Sequence, residues 1–483
     1  MHRISADLAS DLHDVAGTRR LEQAAAATLP AHTLMQRAGE SAARLAMAIA
    51  PHARVVWIAC GPGNNGGDGF EAASWLQQRG FAPVVTFAGD ETRLPQDARQ
   101  SLDRARKAGV TLAASPPVQW NLAIDALLGI GSTRTPGGAM ASWLQQMDAA
   151  LAPVLAIDLP SGLNADTGVI AREGRWQGGS VARYCLSLLT LKPGLFTAQG
   201  RDAAGQVWFD NLGCDSPAEP PVAQLSGAPP ATRRQHASHK GSYGDVSVIG
   251  GATGMAGAAL LAATAALHAG AGRVLIGMLD PRAASVDNAQ PELMLRDAET
   301  LDLRTSTTVC GCGGGAAIAA LLPRVLATSP RLVLDADALN AIALDATLQA
   351  SLRERAARGA LTVLTPHPLE AARLLASDAA TVQADRLTSA RTLASRFEAV
   401  VVLKGSGSVI AGPDQAAPCI NPTGNARLAT AGTGDVLAGM IGAALTPGRS
   451  PFDAVREAVW RHGELADRWP ADRPLTAGAL ARA

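Results

Sequence analysis

The 483-residue sequence predicts two α/β domains, each a largely parallel sheet flanked by helices. Three observations carry this. Short apolar, strand-like runs alternate with helical segments along both halves. One Pro- and Ser-rich interval at 210–239, DNLGCDSPAEPPVAQLSGAPPATRRQHASH, breaks the alternation and reads as a linker. Hydrophobic residues make up 47% and charged residues 17%, which suits two large cores and excludes a disordered chain.

The first domain is expected over 1–220. Leu34, Ala38, Ala42, Leu45 and Ile49 fall at helical spacing within 33–50. RVVWIAC (54–60) reads as a buried strand, followed by a Gly/Asn loop and a helix over 70–79. Strands at 83–87, 122–127 and 154–157 alternate with helices at 96–108 and 139–151. The second domain is expected over 221–483. Its strands are predicted at 246–250, 273–278, 308–312, 332–335, 361–365 and 400–403, and helices at 433–445 and 451–468 close it.

Charge and cysteine usage exclude several classes. Lys plus Arg is 42 and Asp plus Glu is 42, so the chain is not built to coat nucleic acid or an anionic membrane. The six cysteines form no CxxC pair, and Cys310 and Cys312 have no histidine nearby; buried or loop thiols in a reducing cytosol are expected. MHRISADLASDLHD at the start is polar where a signal sequence would be apolar. The most apolar stretch, 255–278, is mostly Ala and Gly and carries His268 and Arg273, unlike a membrane span. A cytoplasmic homo-oligomer acting on small molecules is expected.

In the first half, Gly61-Pro62-Gly63-Asn64-Asn65-Gly66-Gly67-Asp68-Gly69 follows a strand. Glycines let a backbone approach a ligand, and the next helix offers N–H groups to a phosphate. The spacing is not the GxGxxG dinucleotide fingerprint, and a lone Gly-rich loop is often a plain turn. Three more segments end strands with polar groups: Asp125-Ala126-Leu127-Leu128-Gly129, Gly129-Ile130-Gly131-Ser132-Thr133-Arg134-Thr135, and Asp158-Leu159-Pro160-Ser161-Gly162. Ligands of open α/β sheets bind beyond the carboxyl ends of strands, so Asn64, Asn65, Asp68, Asp125 and Asp158 should converge on a polar ligand and a hard cation. Each Asp could instead cap a helix.

In the second half, Asn425-Ala426-Arg427-Leu428-Ala429-Thr430-Ala431-Gly432-Thr433-Gly434-Asp435 runs into an apolar helix. Helix-start amides suit a transferring phosphoryl group, and Asp435 suits a proton acceptor. No GxxxxGK[ST] occurs, which argues against a Walker-type NTPase. VVLKGSGSVI places Lys404 in a tight turn suited to nucleotide phosphate. His367 stands between two prolines, and Asp335-Ala336-Asp337 ends a strand with carboxylates suited to a metal or to helix caps.

These residues resemble one family. NNGGDG, DALLGIG, AIDLPSGLNADTG and TLKPGL look like the epimerase half of the bifunctional NAD(P)H-hydrate repair enzymes. KGSYGDVSVIGG, VLDADALN, LTPHPLEAARLL, VVLKGSGSVIAG and LATAGTGDVLAG look like their ADP-dependent dehydratase half. The resemblance implies a Rossmann-like three-layer domain followed by a ribokinase-like domain. It implies hydrate contacts from Asn64, Asn65, Gly66, Gly67, Asp68, Gly129, Ile130, Gly131, Ser132, Thr133, Arg134, Thr135 and Asp158, and potassium held by Asn65, Asp125 and Ser161. In the second half it implies S-hydrate contacts from Ala258, Gly313, His367 and Asp435. Nucleotide contacts would come from Lys404, Gly405, Ser406, Gly407, Ser408 and Gly434. Cys310-Gly311-Cys312-Gly313-Gly314-Gly315 departs from the family's usual Gly-Pro-Gly-Leu-Gly.

The implied reaction follows from its chemistry. Hydration leaves a hydroxyl on the ring carbon next to nitrogen, and hydroxide leaves poorly. Phosphorylation from ADP with Mg²⁺ turns it into a good leaving group, with Asp435 activating the hydroxyl and the 432–434 amides steadying the phosphoryl charge. The first domain would interconvert the R and S forms of NADHX and NADPHX; Asp125 and Asp158 are both available as its base. A small-molecule kinase or a non-catalytic nucleotide sensor are the rival readings.

Overall fold

The computed structural model describes residues 1–131, 134–171, 182–214, 219–231, 235–445 and 449–483. The chain divides into two compact units, Met1–Ser5 with Ser10–Ala223 and Ala6–Ala9 with Gln224–Ala483.

The first unit is built on an eight-stranded sheet. Its order is His2–Arg3, Gln206–Asp210, Arg183–Leu188, Val154–Ile157, Leu122–Ala126, Val55–Cys60, Ala82–Phe87, Thr111–Ala113. Pairing is parallel except at the His2–Arg3 edge. Side chains alternate across the central strands. Val56, Ile58 and Cys60 pack with Leu45, Phe70 and Leu76, beneath the helices Thr33–Ile49 and Asn64–Gln78. Trp57 and Ala59 pack on the opposite face with Trp143 and Met147 of the helix Ala139–Ala149. The result is the expected three-layer α/β arrangement.

Two expectations need correction here. Residues 64–69 are not loop: the helix begins at Asn64 and runs to Gln78. Four strands of this sheet, His2–Arg3, Thr111–Ala113, Arg183–Leu188 and Gln206–Asp210, and the helix Val15–Thr28 escaped the sequence pattern. RYCLSL and QVWFD mix polarity, and the helix buries only Gly17, Thr18 and Leu21.

In the second unit, parallel strands run in the order Met294–Asp297, Arg273–Met278, Asp245–Gly250, Thr307–Cys310, Arg331–Leu334, Leu361–Leu364, Val400–Leu403. Val409–Ala411 and Cys419–Ile420 continue the sheet antiparallel. Ala223–Leu225, inside the expected linker, adds a further strand with Gln224 opposite Cys419. The helices Ala256–His268 and Thr433–Ala444 meet at Gly439, where a Cβ would stand 2.0 Å from the Ala262 carbonyl oxygen. Close backbone approach requires glycine there. Among the described residues, no helix is long and apolar enough to cross a membrane.

Candidate active sites

In the first unit, the strand order turns back at Val55–Cys60, whose neighbours Ala82–Phe87 and Leu122–Ala126 lie on opposite sides. Loops leaving the strands diverge at such a point and open a crevice. A cleft of about 850 Å³ lies there, lined by Arg19, Glu22, Asn64, Asn65, Asp68, Gly129, Ile130, Gly131, Arg134, Thr135 and Asp158. Ser132 and Thr133, expected in the same wall, lie outside the described residues. The helix Asn64–Gln78 starts at Gly63 with no side-chain cap, so its positive end is left for an anion.

Gly66 and Gly67 do not line the cleft. A Cβ at Gly66 would stand 2.0 Å from the Gly61 carbonyl oxygen, and one at Gly67 would stand 2.6 Å from Met35 Sδ. Internal packing dictates these two glycines.

The two carboxylates left open as bases differ sharply. Asp125 is 2% exposed. Its Oδ2 accepts from the Ser161 amide at 2.8 Å, and its Oδ1 accepts from Ser161 Oγ at 2.6 Å and from the Leu127 amide at 3.2 Å. Asp158 lines the cleft, and its Oδ1 accepts from Lys192 Nζ at 2.5 Å. Lys192 is wholly buried and also donates to the Leu188 carbonyl at 2.8 Å. Asp158 has a left-handed φ of 64°, which costs about 1 kcal/mol or more in a non-glycine residue.

Two further acids face this pair. Burial, then the Asp158 charge, raise the pKa of Glu22. Burial, then Asp158, Glu22 and Glu71, push Asp68 well above the usual carboxylate range. Glu22 went unnoticed in the sequence because its helix did; the Asp14 side chain that accepts from the Gly17 amide was the available start signal.

The oxygen donors around the turn at 127–129 suit a monovalent cation. Asn65 is 8% exposed, and neither atom of its amide has a hydrogen-bond partner among the described residues. Leu128 donates its amide to Ser161 Oγ at 2.8 Å, and a Cβ at Gly129 would lie 3.4 Å from that of Asn65. Buried amides are rarely left unpaired, so the orphaned Asn65 fits a missing ligand. One carboxylate, one amide and one hydroxyl supply hard oxygens with a single charge.

In the second unit, Gly432 (φ 91°) opens the helix Thr433–Ala444 with no side-chain cap. Asp435 stands in the first turn, with the Cys312 thiol within 4.8 Å of its carboxylate. Burial first, then the charge of Asp335, raise its pKa to about 6. Gly313 has φ 59°, and a Cβ there would lie 2.9 Å from that of Ala258, so these two predicted residues are neighbours. His367 is a helix cap: its Nδ1 accepts from the Leu369 amide at 3.0 Å, while its own amide donates to Glu370 Oε2 at 2.8 Å. Burial, then Lys404, lower its pKa.

The Lys404–Ser408 segment turns between Val400–Leu403 and Val409–Ala411, with Gly405 at φ 142° and Gly407 at φ 61°. Arg386, 1% exposed, holds it from beneath by donating to the carbonyls of Leu403 at 3.1 Å and Lys404 at 3.3 Å. Lys404 Nζ would lie 3.4 Å from a Cβ on Gly434, which joins the two predicted nucleotide elements. Burial works against the Lys404 charge, but Asp335 and Glu370 outweigh it and its pKa is raised. Asp335 stands at the N-cap of the helix Ala336–Leu344 but its side chain makes no capping bond; its Oδ1 accepts from Lys404 Nζ at 2.6 Å.

Residues 31–194 match the family described as YjeF-related protein N-terminus, and residues 246–482 match NAD(P)H-hydrate dehydratase. The chain is 36% identical to the bifunctional NAD(P)H-hydrate repair enzyme Nnr of Escherichia coli, over 93% of this chain and 88% of that one. It is 43% identical to the ADP-dependent (S)-NAD(P)H-hydrate dehydratase of Neisseria meningitidis, over 51% of this chain and 84% of that one. A solved structure of the ADP/ATP-dependent NAD(P)H-hydrate dehydratase of Bacillus subtilis aligns at 29% identity over 52% of this chain and 90% of that one, with a TM-score of 0.40. By sequence, over nearly its whole length, this chain belongs to the bifunctional NAD(P)H-hydrate repair enzymes.

Proposed function

We propose that the chain repairs hydrated nicotinamide cofactors: the first unit interconverts the R and S hydrates, and the second dehydrates the S form with ADP, releasing NAD(P)H, AMP and phosphate. The observation that carries this reading is Asp435 at an uncapped helix start with a pKa raised to about 6, in a chain that also carries the hydrate-epimerase half. Such a carboxylate is basic enough to accept a hydroxyl proton and still ionised at neutral pH.

In the second unit, the hydrate's hydroxyl oxygen attacks the β-phosphorus of ADP while Asp435 takes its proton, and AMP leaves. The first-turn amides and Lys404 face the phosphoryl charge. Cleavage of the C–O bond then expels phosphate, and loss of the neighbouring ring proton restores the double bond. Mg²⁺ would arrive with the nucleotide phosphates and neutralise their charge.

In the first unit, the hydroxyl leaves as water after taking a proton, and the ring nitrogen's lone pair forms a C=N bond. Water returns to the opposite face and gives up a proton. Glu22 suits the acid, since burial favours its protonated form. Asp158 suits the base, because it lines the cleft while Asp125 spends its oxygens on Ser161 and Leu127. Potassium on Asn65, Asp125 and Ser161 would supply a fixed positive charge beside the substrate. Arg19 and Arg134 on the cleft wall suit the cofactor's phosphates. All six cysteines are free, which suits a reducing cytoplasm.

The test is recovery of dihydronicotinamide absorbance from mixed R and S hydrates with Mg²⁺ and ADP. The full chain should recover all of it. Asp158→Asn should stall once the S form is spent, and Asp435→Asn should recover none. No recovery by the full chain with ADP or ATP removes the reading.

A further inference from the structure

We infer that Asp335 is a positioning residue of the dehydratase site: one carboxylate fixes the Lys404 ammonium against the start of the Thr433–Ala444 helix and sets a second negative charge beside Asp435. The inference rests on the reading of Asp435 as proton acceptor.

Asp335 follows the strand Arg331–Leu334 and precedes the helix Ala336–Leu344, where an Asp would ordinarily cap. Its side chain makes no capping bond. Ala336 instead takes a left-handed φ of 48°, unusual for a non-glycine residue, as the chain leaves the strand end. The Asp335 side chain, 2% exposed, accepts at Oδ1 from Thr365 Oγ1 at 2.7 Å and from Lys404 Nζ at 2.6 Å. A carboxylate oxygen of Asp335, one of Asp435 and Cys312 Sγ all lie within 4.8 Å of one another. Lys404 Nζ also sits beside Gly434, one residue before Asp435.

The arrangement does two things. An ammonium on a four-carbon stem loses its wandering freedom, so it waits where nucleotide phosphate arrives. The like charge of Asp335 also makes proton capture by Asp435 easier, against the Cys312 thiol and Lys404, which favour its ionised form. Asp337 acts on Asp435 in the same direction as Asp335, while His367 and Glu370 surround Lys404 from the neighbouring helix. Without Asp335, Lys404 would be drawn to Asp435, tying up the base and leaving the phosphate subsite.

The test uses the full-length chain with the S hydrate, reading the KM for ADP and the acidic limb of the kcat–pH profile. Asp335→Asn should raise the KM about tenfold and move the limb down by about one pH unit. Asp335→Glu keeps the charge and alters the reach, so it should raise the KM and leave the limb near its original place. A folded Asp335→Asn with unchanged KM and limb overturns the inference, and so does an Asp335→Glu limb displaced like that of Asn, which covers the case of an unstable Asn variant. Failure of the parent reading looks different: then Asp435→Asn would retain dehydration, or the unmodified chain would show none.

Discussion

Lys192 donates to Asp158 at 2.5 Å from a wholly buried position, beneath a carboxylate held at left-handed φ on the wall of the cleft. Removing one partner of a buried pair leaves the other charge uncompensated, typically costing about 3–5 kcal/mol. Lys192→Met should destabilise the first unit and, with Asp158 as the proposed base, slow epimerisation about 10²-fold or more, since Asp158 loses the partner that orients it. Dehydration of pure S hydrate should stay at the wild-type rate. An epimerisation rate unchanged from wild type would remove Asp158 from the chemistry.

Asn65 offers a second handle. Its buried amide has no partner among the described residues, so Asn65→Ala should cost little stability. It should nevertheless abolish the response of epimerisation to potassium, measured by exchanging potassium for a bulky organic cation. A wild-type potassium response in the variant would place the cation elsewhere.

The buried carboxylate of Asp435 costs stability when it ionises. Its folded pKa of about 6 lies above the ordinary value of 3.8, so burying its charge costs nothing below pH 4 and progressively more as pH rises toward 6. Asp435→Asn should therefore melt later than wild type at pH 7.5, by up to about 3 kcal/mol in stability, with the gain fading at pH 4. Dehydration should be lost, and the wild-type rate should fall below about pH 6 as Asp435 protonates. Calorimetry at the two pH values checks the first point; an equal gain at both would show that the carboxylate does not titrate as described.

His462 works in the opposite sense. It is 7% exposed, its Nε2 donates to the Thr433 carbonyl at 3.0 Å, and burial lowers its pKa to about 4. The unfolded chain, with a histidine near 6.5, takes up the proton first. Stability is thus full above pH 6.5 and is lost by up to about 3 kcal/mol as pH falls toward 4. Denaturant midpoints of His462→Gln should vary less between pH 7 and pH 5 than those of wild type; equal slopes would contradict this.

Arg386 supports the Lys404–Ser408 turn without belonging to it. Arg386→Lys keeps a charge but cannot span the carbonyls of Leu403 and Lys404 as the guanidinium does. The KM for ADP should rise about tenfold with little change in kcat for the S hydrate, measured in a coupled assay of AMP release. A kcat loss at constant KM would point to Asp435 rather than to the turn.

Much of this protein is legible along the chain. Apolar strands, the break near 220 and polar groups at strand ends are short-range patterns, and they single out Asn64, Asn65, Asp68, Gly129, Asp158, Lys404 and Asp435 as candidates. The same patterns misread residues 64–69, because a glycine-rich helix start looks like a loop until Gly61 and Met35 are seen against Gly66 and Gly67. Only the tertiary structure separates Asp125 from Asp158 and gives Asp335 its part. A carboxylate's chemistry is set by the charge a few ångströms away, and that charge comes from 34 residues along the chain for Asp158 and 69 for Asp335. Sequence determines which residues can carry chemistry; folding decides which of them meet.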